Sequence, residues 1–325
     1  MGFTQPIINL NKKIEDEYRR LNNGLKCPII GLGTALIEKV EKEDKEKKGK
    51  KEREIVYQSI IDGVRLIDTD QTSEEIVGKQ IEKALNENIV KREDLFIVAK
   101  LEIEDKEDPE KALRKSLQRL KLDYVDLYLD RWPSCVCLNP EKKYKLIPIK
   151  NTWGLMEKLV ELKLTKSIGV SNYNVENMFN ILSDCRIKPA VLEVEFHPFL
   201  YQKELKEFCD LENIVIFAYN PLVSGEYVNR DYIYESNWNI FREGVFTLLK
   251  KKYQTLTIGQ MILNWHLCLG VVPIPGTSKP ERMKENLEAR NFTIRNDYIE
   301  LIGSNEKKEH RFNDGSNIFG VNIFA

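Results

Sequence analysis

The sequence predicts an α/β protein folded as a closed (β/α)8 TIM barrel, with an N-terminal β-hairpin in front and a C-terminal tail behind. Three observations predict it. Eight short β-branched runs alternate with amphipathic helical patterns, the rhythm of a parallel sheet with crossover helices. The chain has 325 residues, which suits one such barrel with its extensions, residues 1–325 as a single domain. No G-x-G-x-x-G follows the first run; Gly31–Thr34 reads GLGT, which disfavours the alternative, a doubly wound open sheet.

The runs are Pro28–Ala35, Val64–Asp70, Leu95–Leu101, Tyr124–Trp132, Thr165–Asn172, Ala190–Pro198, Ile214–Leu222 and Val271–Gly276. Helical patterns between them include REIVYQSIIDG, EEIVGKQIEKALNEN, EKALRKSLQRLKL and GLMEKLVELKL, with apolar residues three and four apart. Ahead of the first run, Tyr18–Pro28 carries Asn22, Asn23 and Gly24 between extended residues. Asn-Gly is a strong hairpin signal, and this hairpin is expected to cap the barrel bottom. Residues 38–54, EKVEKEDKEKKGKKERE, mix both signs of charge without apolar anchors. They are expected to form a solvated, mobile insertion after the first strand.

Composition narrows the function classes. Hydrophobic residues make up 42% of the chain, enough for a core. Fifty Lys and Arg balance 51 Asp and Glu, so no net field draws the chain to nucleic acid or to an anionic membrane. No apolar stretch is long enough to span a bilayer, and the start MGFTQPIINLNKK predicts neither a secretory signal nor myristoylation. Six cysteines are dispersed except for Cys135 and Cys137, and three histidines stand far apart, so no metal is expected. Reduced thiols in a cytoplasmic protein are the expectation.

In such barrels chemistry gathers where strands end. Those ends offer Thr34 and Ala35, Asp68 and Asp70, Lys100 and Glu102, Asp130 to Trp132, Ser171 and Asn172, Glu193 and His197, Tyr219 and Asn220, and Gly276 and Thr277. Asp68 beside Lys100 would be a buried ion pair. The Asp holds the Lys charged where burial alone would lower its pKa, and both a structural and a catalytic reading stay open.

The segments LNNGLKCPIIGLGT, GVRLIDTD, SEEIVGKQI, FIVAKL, SLQRLKLDYVDLYL, KSIGVSNYN, EVEFHP, FAYNPL, IPGTSKPERMKENL and the tail RFNDGSNIFGVNIFA follow in order. Together they resemble the aldo/keto reductase family along nearly the whole chain. The resemblance implies NADP(H) laid across the C-terminal face and hydride transfer to a small aldehyde or ketone. It implies that Ser171, Asn172 and Glu193 contact the nicotinamide carboxamide, that Tyr219 stacks on the ring, and that Arg282, Glu285 and Asn286 meet the phosphate and adenine. Thr34, Asp68, Leu222 and Thr277 complete the implied cofactor set. Arg suits a 2′-phosphate because its planar fork donates two parallel hydrogen bonds.

The chain departs from the family pattern at several places. The family usually has Gln at Glu193 and often Lys at Gly276. Of its Asp-Tyr-Lys-His tetrad, Asp68 and Lys100 match. The stretch that should hold Tyr reads DQTS, and Gln71 or Ser73 falls nearest that place. Arg131 stands where His is usual. Arg can stabilise an oxyanion but cannot surrender a proton. His197 is read as structural. The substrate pocket is expected to involve Ala35, Glu102 and Trp132, with Ala35 and Glu102 where many members have Trp. Weak or absent turnover is therefore expected. The alternative is a catalytically inactive NADP(H)-binding scaffold, sensor or component of a protein assembly.

Overall fold

The structure is a computed structural model that describes residues 8–10, 13, 14, 16–38, 54–133, 136–138, 144–223, 244–303, 310–319 and 322–324. The charged run 39–53 lies outside the described residues, and with it the expectation of a mobile insertion.

Three short strands open the chain: β1 (Ile8–Asn9), β2 (Tyr18–Arg20) and β3 (Lys26–Pro28). The barrel follows with β4 (Gly31–Gly33), β5 (Leu66–Asp68), β6 (Phe96–Leu101) and β7 (Val125–Asp130). A small antiparallel pair, β8 (Val136–Leu138) and β9 (Tyr144–Leu146), stands after β7. The barrel resumes with β10 (Thr165–Ser171), β11 (Val191–Glu195), β12 (Val215–Tyr219) and β13 (Val272–Ile274). Strand β14 (Thr293–Ile294) pairs back onto β1.

Eight strands form one parallel sheet in the order β4-β5-β6-β7-β10-β11-β12-β13. A parallel bridge between Gly33 and Gly276, with Gly33 N–H donating to the Pro275 carbonyl at 3.1 Å, brings its edges together. All six residues of β6 and all six of β7 are buried. Helices cover one face and the barrel interior the other, so these strands are buried along their whole length, with Lys100, Asp126 and Asp130 the only charged side chains among them. One difference from the sequence reading is the first run, which splits into β3 and β4. Pro28 has no N–H for a further ladder bond, and the chain leaves the hairpin there to enter the barrel.

The helices begin where local chemistry starts them. Asp108 caps Pro109–Leu120 by accepting the Lys111 N–H at 3.0 Å, and Pro109 sits where its missing N–H costs nothing. Thr257 and Gln260 form a reciprocal capping box at the start of Ile258–Cys268. Pro109–Leu120 lays its apolar stripe on the sheet; Ala112, Leu113, Leu117 and Leu120 are its buried apolar face.

The hairpin β2–β3 closes the bottom of the barrel. Gly24 takes φ +87°, a conformation that favours glycine. Leu21 and Cys27 join the interior layer of Leu66, Val98, Leu127, Phe217 and Val272. Asn22 donates to the Pro189 carbonyl at 2.8 Å and Asn23 to Ser167 Oγ at 2.6 Å, both at strand entrances. Among the described residues no helix is long and apolar enough to cross a membrane.

Candidate active site

At the opposite end, the strand exits surround an open cleft whose empty space is about 820 Å3. Its walls include Thr34, Ala35, Asp68, Lys100, Arg131, Ser171, Asn172, Glu193 and Tyr219, residues delivered by seven different strand ends. Register explains the convergence. In adjacent parallel strands Gly33 pairs with Asp68, Ser171 with Glu193, and Glu195 with Tyr219, so successive exits stand at one level.

The floor is a buried charge cluster. Lys100 Nζ lies 2.5 Å from Asp68 Oδ1 and 3.3 Å from Glu193 Oε1, and donates to the Thr69 carbonyl at 3.3 Å. Burial pushes Asp68 up, and the neighbouring Glu193 carboxylate adds to this against the pull of Lys100, bringing it to about 8. Burial works against the Lys100 ammonium, but Asp68 and Glu193 outweigh it and its pKa is raised. Both directions express one fact: two carboxylates flank one ammonium out of water, and the cluster keeps its protons. Glu193 Oε2 is buried and accepts no hydrogen bond.

Around this floor the side chains orient one another. The Tyr219 hydroxyl donates to Asn172 Oδ1 at 2.8 Å, and Asn172 Nδ2 donates to the Arg131 carbonyl at 3.1 Å. Asn172 adopts φ +65° to make this turn. Arg131 reaches Glu102 Oε1 at 2.5 Å, an ion pair with both partners partly exposed. Burial would raise Asp70, but hydrogen bonds from Thr72 and Ser73, with Lys100 and Arg131 nearby, hold it low.

The replacement candidates for a phenol are turned elsewhere. Gln71 Nε2 donates to Asp105 Oδ2 at 2.9 Å. Ser73 is fully buried and shares a hydrogen bond with Thr34 Oγ1 at 2.8 Å. His197 is buried beside Glu195 at 3.3 Å, away from the cleft wall.

Several residues singled out by the sequence stand outside the cleft. Trp132 is buried, its ring against Phe319 at 5.6 Å and Phe324 at 6.5 Å, so the tail covers it. Glu102 lies behind Arg131 rather than on the wall. Leu222, Thr277, Arg282, Glu285 and Asn286 also lie off the wall. The last three belong to the helix Pro280–Leu287, where Arg282 is exposed and Asn286 buried. Thr277 Oγ1 accepts the Lys279 N–H at 3.1 Å and shapes the entry to that helix. Among the described residues no group of acidic, His or Cys side chains could hold a metal ion.

Sequence reasoning missed Leu36, Thr69, Pro221 and Asn313 as wall residues. Asn313 comes from the tail, whose Phe312 and Asn313 N–H groups donate to the buried Glu195 Oε2 at 3.0 and 2.9 Å. The tail's resemblance was visible, but no local pattern tied it to this cleft.

The aldo/keto reductase family model matches residues 29–306. The chain belongs to the aldo/keto reductase family. It is 35% identical to the aldo-keto reductase family 1 member A1 of Gallus gallus, over 90% of this chain and 89% of that protein. It is 36% identical to the glyoxal reductase of Bacillus subtilis strain 168, over 89% of this chain and 93% of that one. A Bombyx mori aldo-keto reductase solved in complex with NADP superposes with a TM-score of 0.79 at 30% identity, covering 92% of this chain and 95% of its own. As an aldo/keto reductase, the chain thus carries the family's barrel with its strand-exit cleft.

Proposed function

We propose that this aldo/keto reductase binds NADP(H) in the strand-exit cleft and exchanges hydride with a small aldehyde or ketone, with turnover attenuated by its altered proton donor. The observation that carries the reading is the joint placement of Ser171, Asn172, Glu193 and Tyr219 on one wall beside the Asp68–Lys100 pair. The unpartnered Glu193 Oε2 and the Ser171 hydroxyl fit a carboxamide, which brings both donors and an acceptor. Tyr219 offers a ring whose orientation is fixed by its bond to Asn172. Arg282, exposed at the start of Pro280–Leu287, is available to a phosphate.

Bound NADPH supplies the hydride; the remaining chemistry belongs to the chain. The carbonyl oxygen needs a positive partner and then a proton. Lys100 and Arg131 line the cleft and can stabilise developing negative charge. The cluster of Asp68 and Lys100 holds protons at neutral pH, because Asp68 is pushed up to about 8. An ammonium held by two carboxylates parts with a proton poorly, and a missing phenol costs about 10²–10⁴ in rate.

Fluorescence titration with NADPH, followed by turnover of a small aldehyde panel, tests the reading. The expected outcome is saturable binding, weakened by Tyr219→Ala, and slow reduction. Lengthening the 70–73 loop to carry Tyr, together with Arg131→His, is expected to raise the rate about 10²-fold. Absence of nucleotide binding overturns the proposal.

A second reading, an inactive NADP(H)-binding scaffold or sensor, draws on the engagement of Gln71 with Asp105 and of Ser73 with Thr34. Binding without any turnover, even in the Tyr-bearing variant, would favour it.

A further inference from the structure

We infer that Glu193 makes this cleft select the oxidised nicotinamide, NADP+, over NADPH. The inference rests on the proposed nicotinamide site and adds the redox state that the site prefers.

The argument begins with charge. The cleft wall carries three acidic side chains, Asp68, Asp70 and Glu193, of which Asp68 keeps its proton at neutral pH, against two cations, Lys100 and Arg131. Arg131 is engaged by a further carboxylate, Glu102, at 2.5 Å, and the single ammonium of Lys100 is divided between Asp68 and Glu193. Negative charge is therefore in excess, and it is concentrated at Glu193. That carboxylate is 2% exposed, Lys100 reaches only its Oε1, and its Oε2 has no hydrogen-bond partner. A buried carboxylate with half its acceptor capacity unused favours a ligand that brings positive charge.

Only a difference between two ligands can discriminate them. The carboxamide is present in both forms of the cofactor, so its hydrogen bonds to this wall cancel in the comparison. The positive charge of the ring is present only in the oxidised form. A buried carboxylate beside the ring therefore acts on one form alone. A neutral amide at position 193 would satisfy the carboxamide without this bias. At an effective dielectric of about 20, a charge contact across this wall shifts affinity by about tenfold or more. A tenfold preference lowers the potential of the bound two-electron couple by about 30 mV, so the complex resists reduction. The site is accordingly poised to draw hydride from an alcohol or to report NADP+, rather than to hold NADPH ready.

Equilibrium titration of the full chain with NADP+ and with NADPH, followed by tryptophan fluorescence or calorimetry, tests this without turnover. The parent is expected to bind NADP+ about tenfold or more tightly than NADPH. Glu193→Gln should cut that ratio about tenfold by weakening NADP+ and strengthening NADPH, while Glu193→Asp should keep the direction of the preference. Should the Gln variant fail to fold, Glu193→Ser serves, with the same expected loss. Equal affinities in the parent, or a ratio that Glu193→Gln leaves unchanged, overturn the inference and leave the cofactor site standing. Failure of both nucleotides to bind instead overturns the proposed cofactor site itself.

Discussion

At the scale of single residues, the molecule is governed by how few cations its buried carboxylates share. Burial and the neighbouring Glu193 push Asp68 up to about 8 in the fold, from 3.8 for an open-chain carboxyl. Between those values the folded state binds more protons than the unfolded one, so stability falls as pH rises. The contribution of Asp68 is thus fully present below about pH 4 and is lost as pH passes through about 8. Glu193→Gln removes one of the two main causes of that rise. Calorimetry should find the variant melting about 2–4 °C above the parent at pH 8, with the gap closing towards pH 5. A gap of equal size at both pH values would assign it to packing rather than charge. Lys100→Met is expected to act the other way. It leaves two buried carboxylates without their cation, at a cost of about 3–5 kcal/mol at pH 8 and less at pH 5, read by denaturant unfolding at each pH.

At the scale of elements, two helices depend on one small residue. A Cβ on Gly78 would lie 2.7 Å from Leu120 Cα and would also strike the Arg119 carbonyl. The helices Glu74–Asn86 and Pro109–Leu120 touch backbone to backbone there. Gly78→Ala, although it favours helix locally, is therefore expected to destabilise the protein by about 1–3 kcal/mol, measurable by denaturant unfolding. Asp108→Ala removes only a cap and should cost about 1 kcal/mol. The elements themselves were largely readable. Their alternation, the hairpin at Asn22–Gly24 and the pairing of Asp68 with Lys100 all appear as predicted. Seven of the eight runs overshoot the C-terminal end of their strand, by one to three residues, because the periodic pattern does not mark where the last ladder bond falls. The split at Pro28 was missed because the run remains apolar across it.

At the scale of the whole molecule, the tail is a structural part of the site. Glu195 anchors it through the N–H groups of Phe312 and Asn313, while Asn220 donates to Glu195 Oε1 at 2.9 Å. Burial would raise Glu195, but His197 and these donors outweigh it and hold the carboxylate low. Beyond the anchor, Phe319 and Phe324 cover Trp132. A chain ending at residue 309 should therefore expose Trp132. Its fluorescence should shift to the red and the thermal midpoint should fall by several degrees. An unchanged emission maximum would mean that Trp132 stays covered without the tail.

The sequence by itself determined the alternation of strands and helices, the hairpin turn at Asn22–Gly24, and the residues at the strand exits. Those follow from chemistry acting over three or four positions along the chain. Which exit residues meet was decided only by the tertiary structure. Lys100 is shared with Glu193 as well as Asp68, Glu102 is taken by Arg131, Trp132 turns beneath the tail, and Asn313 arrives from the far end of the chain. Such partners are fixed by strand register and by burial. The energy of a buried charge depends on every group that closes around it, however distant that group is in sequence.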